Sequence, residues 1–173
     1  MTQKEFLNNL ANGKSDVIQE FLDLLEQLHI SYCVIGGLAV NAYVEPVVSL
    51  DLDLVIATES LAELSNAAKA TFKVKQFPHS LNLSHPDSEL RIQLQTDERY
   101  QKFVANTQLK VALGYEMYVA TLEDVLQGKI WVYSDPERRA SKRQKDLADI
   151  LRIVESYPGM QKQLPKTIIN KLN

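Results

Sequence analysis

The sequence lacks the features that mark several common classes of protein. Its one cysteine, Cys33, can form no internal disulfide and argues against a cysteine-based zinc site. No apolar run is long enough to cross a membrane, and the N-terminus has no apolar segment typical of a signal peptide. The three histidines show no metal-ligand spacing, and no Ser-His-Asp or Cys-His arrangement stands out. We therefore expect a cytoplasmic protein that makes no membrane contact.

The net charge of the chain is small. At −3, it argues against a protein that coats nucleic acid along its whole surface, although a local basic patch is compatible with it. What is present is the composition of a folded domain, with 173 residues of which 45% are hydrophobic and 24% are charged. We expect residues 1–173 to form a single domain, with a sheet core over 15–120 that carries the site and a helical part over 121–173.

Apolar spacing predicts the order of the helices and strands. Helical periodicity predicts helices over 15–29 (with Ser15 as N-cap), 38–43, 59–72, 122–130 and 146–157, with a further short helix in the tail. Strand composition and alternation predict strands over 31–35, 51–57, 80–84, 89–95, 110–112 and 116–120. The polar residues 134–145 are expected to break the helical part. The fold class that follows is α/β or α+β, a small mixed sheet flanked by helices, with C-terminal helices.

Two carboxylates interrupt the predicted strand 51–57. Asp51 and Asp53 share one face of that strand because side chains alternate along it. Two like charges this close must be solvated, protonated or neutralised by a cation. Carboxylates at this spacing suit Mg²⁺, which keeps water and phosphate oxygens as its other ligands. The plainer alternative is an Asp-x-Asp pair at a solvated edge or turn.

A glycine pair lies upstream of these carboxylates. Gly36 and Gly37 fall at a predicted strand-to-helix junction, where backbone N–H groups without a neighbouring Cβ can cradle a phosphate. Alone, such a pair is more often a tight turn. A phosphate-binding turn followed by a metal-binding strand indicates phosphoryl chemistry.

A cluster of positive charge lies in the C-terminal half. Arg138, Arg139, Lys142, Arg143 and Lys145 fall within eight residues. A solvated loop and helix start explains such a run, and so does a contact to phosphate or RNA beside the metal site. The sequence leaves both alternatives open.

Taken in order, these motifs resemble a known family. A glycine pair, a short helix, a Glu-Pro turn and Asp-Leu-Asp in a strand are similar to the nucleotidyltransferase fold of the DNA polymerase beta-like superfamily. The segments LEDVLQGKIW and SKRQKDLADILRIV resemble its C-terminal helical motif. Within the superfamily, the sequence looks most like the AbiEii-like and minimal bacterial nucleotidyltransferases, which suggests a toxin–antitoxin or phage-defence setting with a partner protein.

The resemblance implies roles for individual residues. Gly36 and Gly37 would hold the nucleoside triphosphate, such as ATP, and Asp51 and Asp53 would coordinate Mg²⁺ or Mn²⁺. Lys129 and Asp146 match the two helical motif positions, with Lys129 meeting phosphate and counted as catalytic with the aspartates. Such enzymes transfer a nucleoside monophosphate to a hydroxyl on a protein, an RNA or a small molecule.

The sequence departs from the family pattern on the predicted strand 89–95. There Gln93 stands where a third carboxylate is expected, on the same strand as Arg91, and glutamine can be neither a base nor an anionic metal ligand. Glu89 or Asp97 could replace it only with a register shift. The function that follows is Mg²⁺-dependent nucleotidyl transfer; the alternative is a catalytically weak module of the same fold that binds nucleotide or RNA.

Overall fold

The computed structural model describes residues 1–172, which fold around one seven-stranded mixed sheet. The strands are β1 Tyr32–Ile35, β2 Asp51–Ile56, β3 Lys73–Phe77, β4 Ser80–Ser84, β5 Arg91–Gln95, β6 Thr107–Ala112 and β7 Tyr115–Ala120. The helices are α1 Gln3–Leu10, α2 Val17–Gln27, α3 Gly36–Val40, α4 Leu61–Ala68, α5 Leu122–Ser134, α6 Ala140–Ser156 and α7 Lys166–Ile169. Three short 3₁₀ helices connect them over Thr58–Ser60, Glu98–Asn106 and Pro158–Gln163.

The strands lie in the order β3-β4-β5-β2-β1-β7-β6. The pairs β1–β7 and β2–β5 are parallel, and the other neighbours are antiparallel. This mixed sheet flanked by helices confirms the predicted fold class, and the predicted hairpins appear as β4–β5 and β6–β7. No helix within residues 1–172 is long and apolar enough to span a bilayer.

Over β4, β5 and the first half of β2, strand alternation divides the sheet into an apolar face and a polar face. Leu52, Ile92 and Leu83 pair across β2, β5 and β4, and all three are buried. Burying each such side chain contributes about 1.5–3 kcal/mol, which fixes the register of these strands. On each of these strands, the residues directly before and after point to the opposite face. That face is therefore free to carry polar groups.

Several predicted boundaries were wrong. The N-cap of α2 is Asp16, whose carboxylate accepts the Gln19 N–H, and not Ser15. Helix α6 begins at Ala140, inside the stretch expected to break the helical part, since Lys, Arg and Gln favour helix without an apolar face. Strand β5 begins at Arg91 and β6 at Thr107.

Three elements were not predicted at all, namely α1, β3 and the 3₁₀ helix Glu98–Asn106. Strand β3 is the clearest case, because only Val74 in it is even partly buried. A strand this polar is held by its ladder to β4, which local sequence does not reveal.

Candidate functional site

The polar face of the sheet forms the floor of a cavity. One cross-strand row runs Asp53, Gln93, Asn82 and Lys75, and the neighbouring row runs Asp51, Arg91, Ser84 and Lys73. The cavity has a volume of about 440 Å³, and these eight side chains all line it. Its opposite wall comes from the helical part, through Gly128, Lys129, Val132, Arg138 and Lys142. The sheet and the C-terminal helices therefore build the site together.

Gly36 packs directly against the second carboxylate. Its backbone has φ +69°, in the left-handed region, and an added Cβ would overlap Asp53 Oδ2 and lie 3.1 Å from Asp53 Cβ and Cγ. A Cβ on Gly37 would make ordinary contact, 3.7 Å from Ser49 Oγ. Only the first glycine is required by this packing, and it brings the start of α3 beside Asp53.

Asp53 lies in a different electrostatic environment from Asp51. Burial raises its pKa from 3.8 to about 6, and the neighbouring Asp51 adds to the rise against the opposing effect of nearby cations. No hydrogen bond or ion pair to this carboxylate occurs within residues 1–172. Asp53 is thus a carboxylate whose charge the protein alone does not balance.

Asp51, in contrast, has cationic partners. Arg91 Nε lies 2.7 Å from its Oδ1, and Lys142 Nζ lies 3.6 Å from its Oδ2. Arg91 comes from the paired position on β5, and Lys142 comes from the first turn of α6. One residue of the basic cluster 138–145, Lys142, therefore contacts the carboxylate pair.

Lys129 lies in a buried ion cluster. Its Nζ is 3.1 Å from Asp146 Oδ1 and 2.7 Å from Asp149 Oδ2, and all three residues are buried. Burial opposes its charged form, but Asp149 and Asp146 outweigh burial and raise its pKa. Arg138 also pairs with Asp146, at 2.9 Å. The structure therefore joins the two predicted helical motif positions directly.

A further arginine links this cluster to the turn after α3. Arg152 donates from Nη1 to Asp149 at 2.8 Å and from Nη2 to Asn41 Oδ1 at 3.1 Å. With Arg152, the cluster holds three cationic groups against two carboxylates. It therefore presents one net positive charge while it holds α5, α6 and the end of α3 together.

Gln93 is paired with Asp53 across the parallel ladder. It occupies the position where the family resemblance expects a carboxylate. Glu89 lies before β5 and accepts a hydrogen bond from Asn12, while Asp97 binds Arg99. Both of these carboxylates bind other residues, and within residues 1–172 the acids that line the cavity are Asp51 and Asp53 alone.

The residues present fit a magnesium ion held with few protein ligands. Within residues 1–172, no group of three or more His, Cys, Asp or Glu side chains is arranged to hold a metal. Mg²⁺ is commonly bound by one or two carboxylates together with phosphate oxygens and water. The unbalanced charge of Asp53 next to Asp51 suits a hard cation of this kind.

Sequence reasoning missed Asp149 of the buried ion cluster and Lys73 and Lys75 of the cavity, although it did name Arg91 as a residue of the site strand. Asp146 and Asp149 are three residues apart and so lie on one face of a helix. From this spacing, Asp149 could have been predicted to join Asp146 in the cluster. The pairing of Arg91 with Asp51 depends on strand register. Lys73 and Lys75 were missed because β3 itself was not predicted.

This architecture is the nucleotidyltransferase fold. Solved structures with the same fold include the lincosamide antibiotic adenylyltransferase LnuA in its lincomycin-bound form, with a TM-score of 0.57 and 12% identity over 82% of this chain and 98% of that chain. Another is ANT(2'')-Ia in complex with adenylyl-2''-tobramycin, with a TM-score of 0.55 and 13% identity over 85% of this chain and 96% of that chain.

A third is an antigenic nucleotidyltransferase-like protein from Paracoccidioides brasiliensis, with a TM-score of 0.53 and 20% identity over 89% of this chain and 78% of that chain. No family model matches the sequence, and no curated protein matches it either. At these identities the likeness concerns the fold.

Proposed function

We propose that this protein is a nucleotidyltransferase that depends on Mg²⁺ or Mn²⁺ and moves a nucleoside monophosphate from a nucleoside triphosphate to a hydroxyl acceptor. The observation that carries the proposal is the position of Asp51 and Asp53 on the floor of the cavity, beside Gly36 and facing a cationic wall. One structural neighbour is named an adenylyltransferase and another was solved with adenylyl-2''-tobramycin, and their fold agrees with the proposal.

Each group has a proposed role. Asp51 and Asp53 would hold the metal, which when bound neutralises charge on the phosphates. Gly36 and Gly37 would bind the triphosphate through backbone N–H groups. Lys129 and Asp146 belong to the buried ion cluster, of which Lys129 and Arg138 line the cavity, so Lys129 would act on phosphate together with Arg138.

The missing third carboxylate is compatible with slow transfer. Phosphoryl transfer passes through a loose transition state that depends mainly on positioning and electrostatic stabilisation. General base catalysis contributes about 10²–10⁴-fold. A site with Asp51 and Asp53 alone therefore keeps most of the required chemistry.

Gln93 favours a second candidate, a module that binds nucleotide or RNA with little or no turnover. Such a module would keep the cavity and its cations as a sensor or as a surface for a partner protein. The AbiEii-like relationship, the toxin–antitoxin or defence setting, the cytoplasmic location and the single-domain organisation of residues 1–173 are further hypotheses from the sequence.

The test is calorimetric titration of the Mg²⁺ complexes of ATP, GTP, CTP and UTP into the wild type and the Asp51→Asn/Asp53→Asn variant. Binding is measured first because it needs no acceptor. We expect one triphosphate to bind the wild type only when metal is present and to bind the double variant at least tenfold more weakly. Asp87→Asn, which removes an exposed carboxylate outside the cavity, should bind as the wild type does.

Binding of equal strength to the wild type and the double variant contradicts the proposed site. The absence of binding at millimolar nucleotide, with both proteins folded, contradicts the transferase and the nucleotide-binding form of the second candidate, and leaves only a module that binds RNA. If nucleotide binds, release of pyrophosphate on addition of acceptor candidates separates the enzyme from the binding module.

A further inference from the structure

We propose that the acceptor carries phosphate close to its reactive hydroxyl, and that Lys73, Lys75 and Arg91 bind this phosphate. This inference rests on the proposed transfer reaction and names the chemistry of its second substrate. It comes from the half of the cavity that lies beyond Gln93, over β4 and the edge strand β3.

The cavity has two halves on either side of the carboxylates. Gly36 follows β1, on the side of β2 that is away from β5, and the triphosphate is proposed to bind there and against Arg138 and Lys142 of the helical wall. The attacking and leaving oxygens lie roughly in line across the transferred phosphorus. An acceptor hydroxyl must therefore approach from the other side, over β5, β4 and β3.

That second half is cationic. Lys73 and Lys75 extend the two cross-strand rows that begin at Asp51 and Asp53, and both are exposed. Arg91 lies between them and the carboxylates, where its Nε pairs with Asp51 while 64% of its side chain stays exposed. The acid side chains of the cavity are confined to the metal position, so an acceptor over β3 to β5 meets positive charge.

This charge excludes one class of acceptor and favours another. An aminoglycoside such as tobramycin, which is present in adenylylated form in the ANT(2'')-Ia complex, is a polycation and would be repelled by Lys73, Lys75 and Arg91. A phosphate is attracted, because lysine and arginine are its usual ligands in proteins.

The same half also offers polar and aromatic contacts. Asn82, next to Gln93 in its row, has an Oδ1 shielded from solvent that finds no hydrogen-bond partner within residues 1–172. Such a group is costly unless a ligand donates to it, as a hydroxyl can. Phe77 lies at the outer end with 40% exposure, and the Lys75 ammonium stands 5.1 Å from its ring centroid.

Two sources of such an acceptor share this chemistry, a polynucleotide and a small sugar phosphate. The experiment measures binding of a single-stranded RNA oligonucleotide, ribose 5-phosphate and tobramycin to the full chain, each without nucleotide. The first variant, called the β3 variant, is Lys73→Glu/Lys75→Glu. The control, Lys162→Glu/Lys166→Glu, has the same change of charge at exposed positions outside the cavity.

We expect at least one phosphate-bearing probe to bind the wild type and the control alike, and the β3 variant at least tenfold more weakly. If RNA is the ligand, the slope of log affinity against log salt should fall by about 0.7 for each phosphate that the variant no longer neutralises. Binding of ribose 5-phosphate alone assigns a small acceptor. Thermal unfolding of the β3 variant, expected to be unchanged, excludes a folding defect as the cause of weaker binding. The milder pair Lys73→Gln/Lys75→Gln repeats the test without reversing charge.

The proposal is overturned if tobramycin binds in preference, if no phosphate probe binds the wild type, or if the β3 variant and the control weaken binding equally. Titration of Mg²⁺-nucleotide into the β3 variant distinguishes this failure from failure of the proposed function. Nucleotide should bind the β3 variant as it binds the wild type, since the triphosphate half of the cavity is intact.

Discussion

Asp53 and Gln93 stand side by side on the polar face of the sheet, at directly paired positions of the parallel strands β2 and β5. One is a carboxylate whose pKa is raised by burial, and the other is an amide that cannot ionise. The site therefore combines two carboxylates, Asp51 and Asp53, with a neutral group where the family resemblance implies a third.

Replacing Gln93 with Asp should convert this arrangement into a three-carboxylate site. If the protein is an enzyme, we expect transfer to rise toward the range of about 10²–10⁴-fold that a general base contributes. The measurement is pyrophosphate release with Mg²⁺-nucleotide and acceptor. Gln95→Asp is the matched control, because it lies two residues further along the same face and pairs with Ser80. No gain, with nucleotide still bound, indicates a site organised around glutamine.

The two glycines should respond differently to alanine. Gly36→Ala adds a Cβ at positive φ that overlaps the Asp53 carboxylate, so we expect a loss of about 1–2 kcal/mol in unfolding free energy and weaker Mg²⁺-nucleotide binding. Gly159→Ala, with no atom within 4 Å of the new Cβ, should stay within about 0.5 kcal/mol of the wild type. Urea unfolding checks both, and equal effects would contradict the packing described for Gly36.

Lys129 should matter for stability more than any exposed lysine. Lys129→Met removes a cation from the buried carboxylates Asp146 and Asp149. We expect the free energy of unfolding to fall by about 3 kcal/mol. Lys142→Met removes a more exposed partner of Asp51 and should cost at most about 1 kcal/mol. Urea unfolding at neutral pH compares them. A cost for Lys129→Met no greater than that for Lys142→Met would show that the cluster contributes little.

Asp53 should make the metal-free protein sensitive to pH. Its pKa is about 6 in the folded chain against an ordinary 3.8, so the folded state binds this proton more tightly than the unfolded state does. Asp53 therefore destabilises the fold above pH 6, and this cost disappears as the pH falls toward 4. At 1.36 kcal/mol per pKa unit, the cost is at most about 3 kcal/mol.

The comparison is the unfolding free energy of the wild type and Asp53→Asn from pH 4 to pH 8, with chelator present. Asp53→Asn should be the more stable protein at pH 8, and its advantage should vanish near pH 4. Excess Mg²⁺ at pH 8 should reduce the advantage, since a bound cation balances the carboxylate. A difference that does not change with pH would contradict the raised pKa.

Much of the fold followed from local patterns. The alternation of Leu52 and Leu54 with Asp51 and Asp53 placed the carboxylates on one face of a buried strand, and the structure confirms that arrangement. Alternation in β4 and β5 likewise predicted a hairpin that is present. The edge strand β3 escaped prediction because its side chains are exposed, and its stability comes from the ladder with β4.

The sequence by itself determined the alternation of strands, the periodicity of helices and the candidate residues, because these depend on neighbours within a few positions. Tertiary structure alone decided that Lys129 meets Asp149, that Arg91 pairs with Asp51 and that Lys75 joins the row of Asp53. These contacts join residues from distant parts of the chain. They depend on strand register and helix packing, which only burial of the shared core fixes.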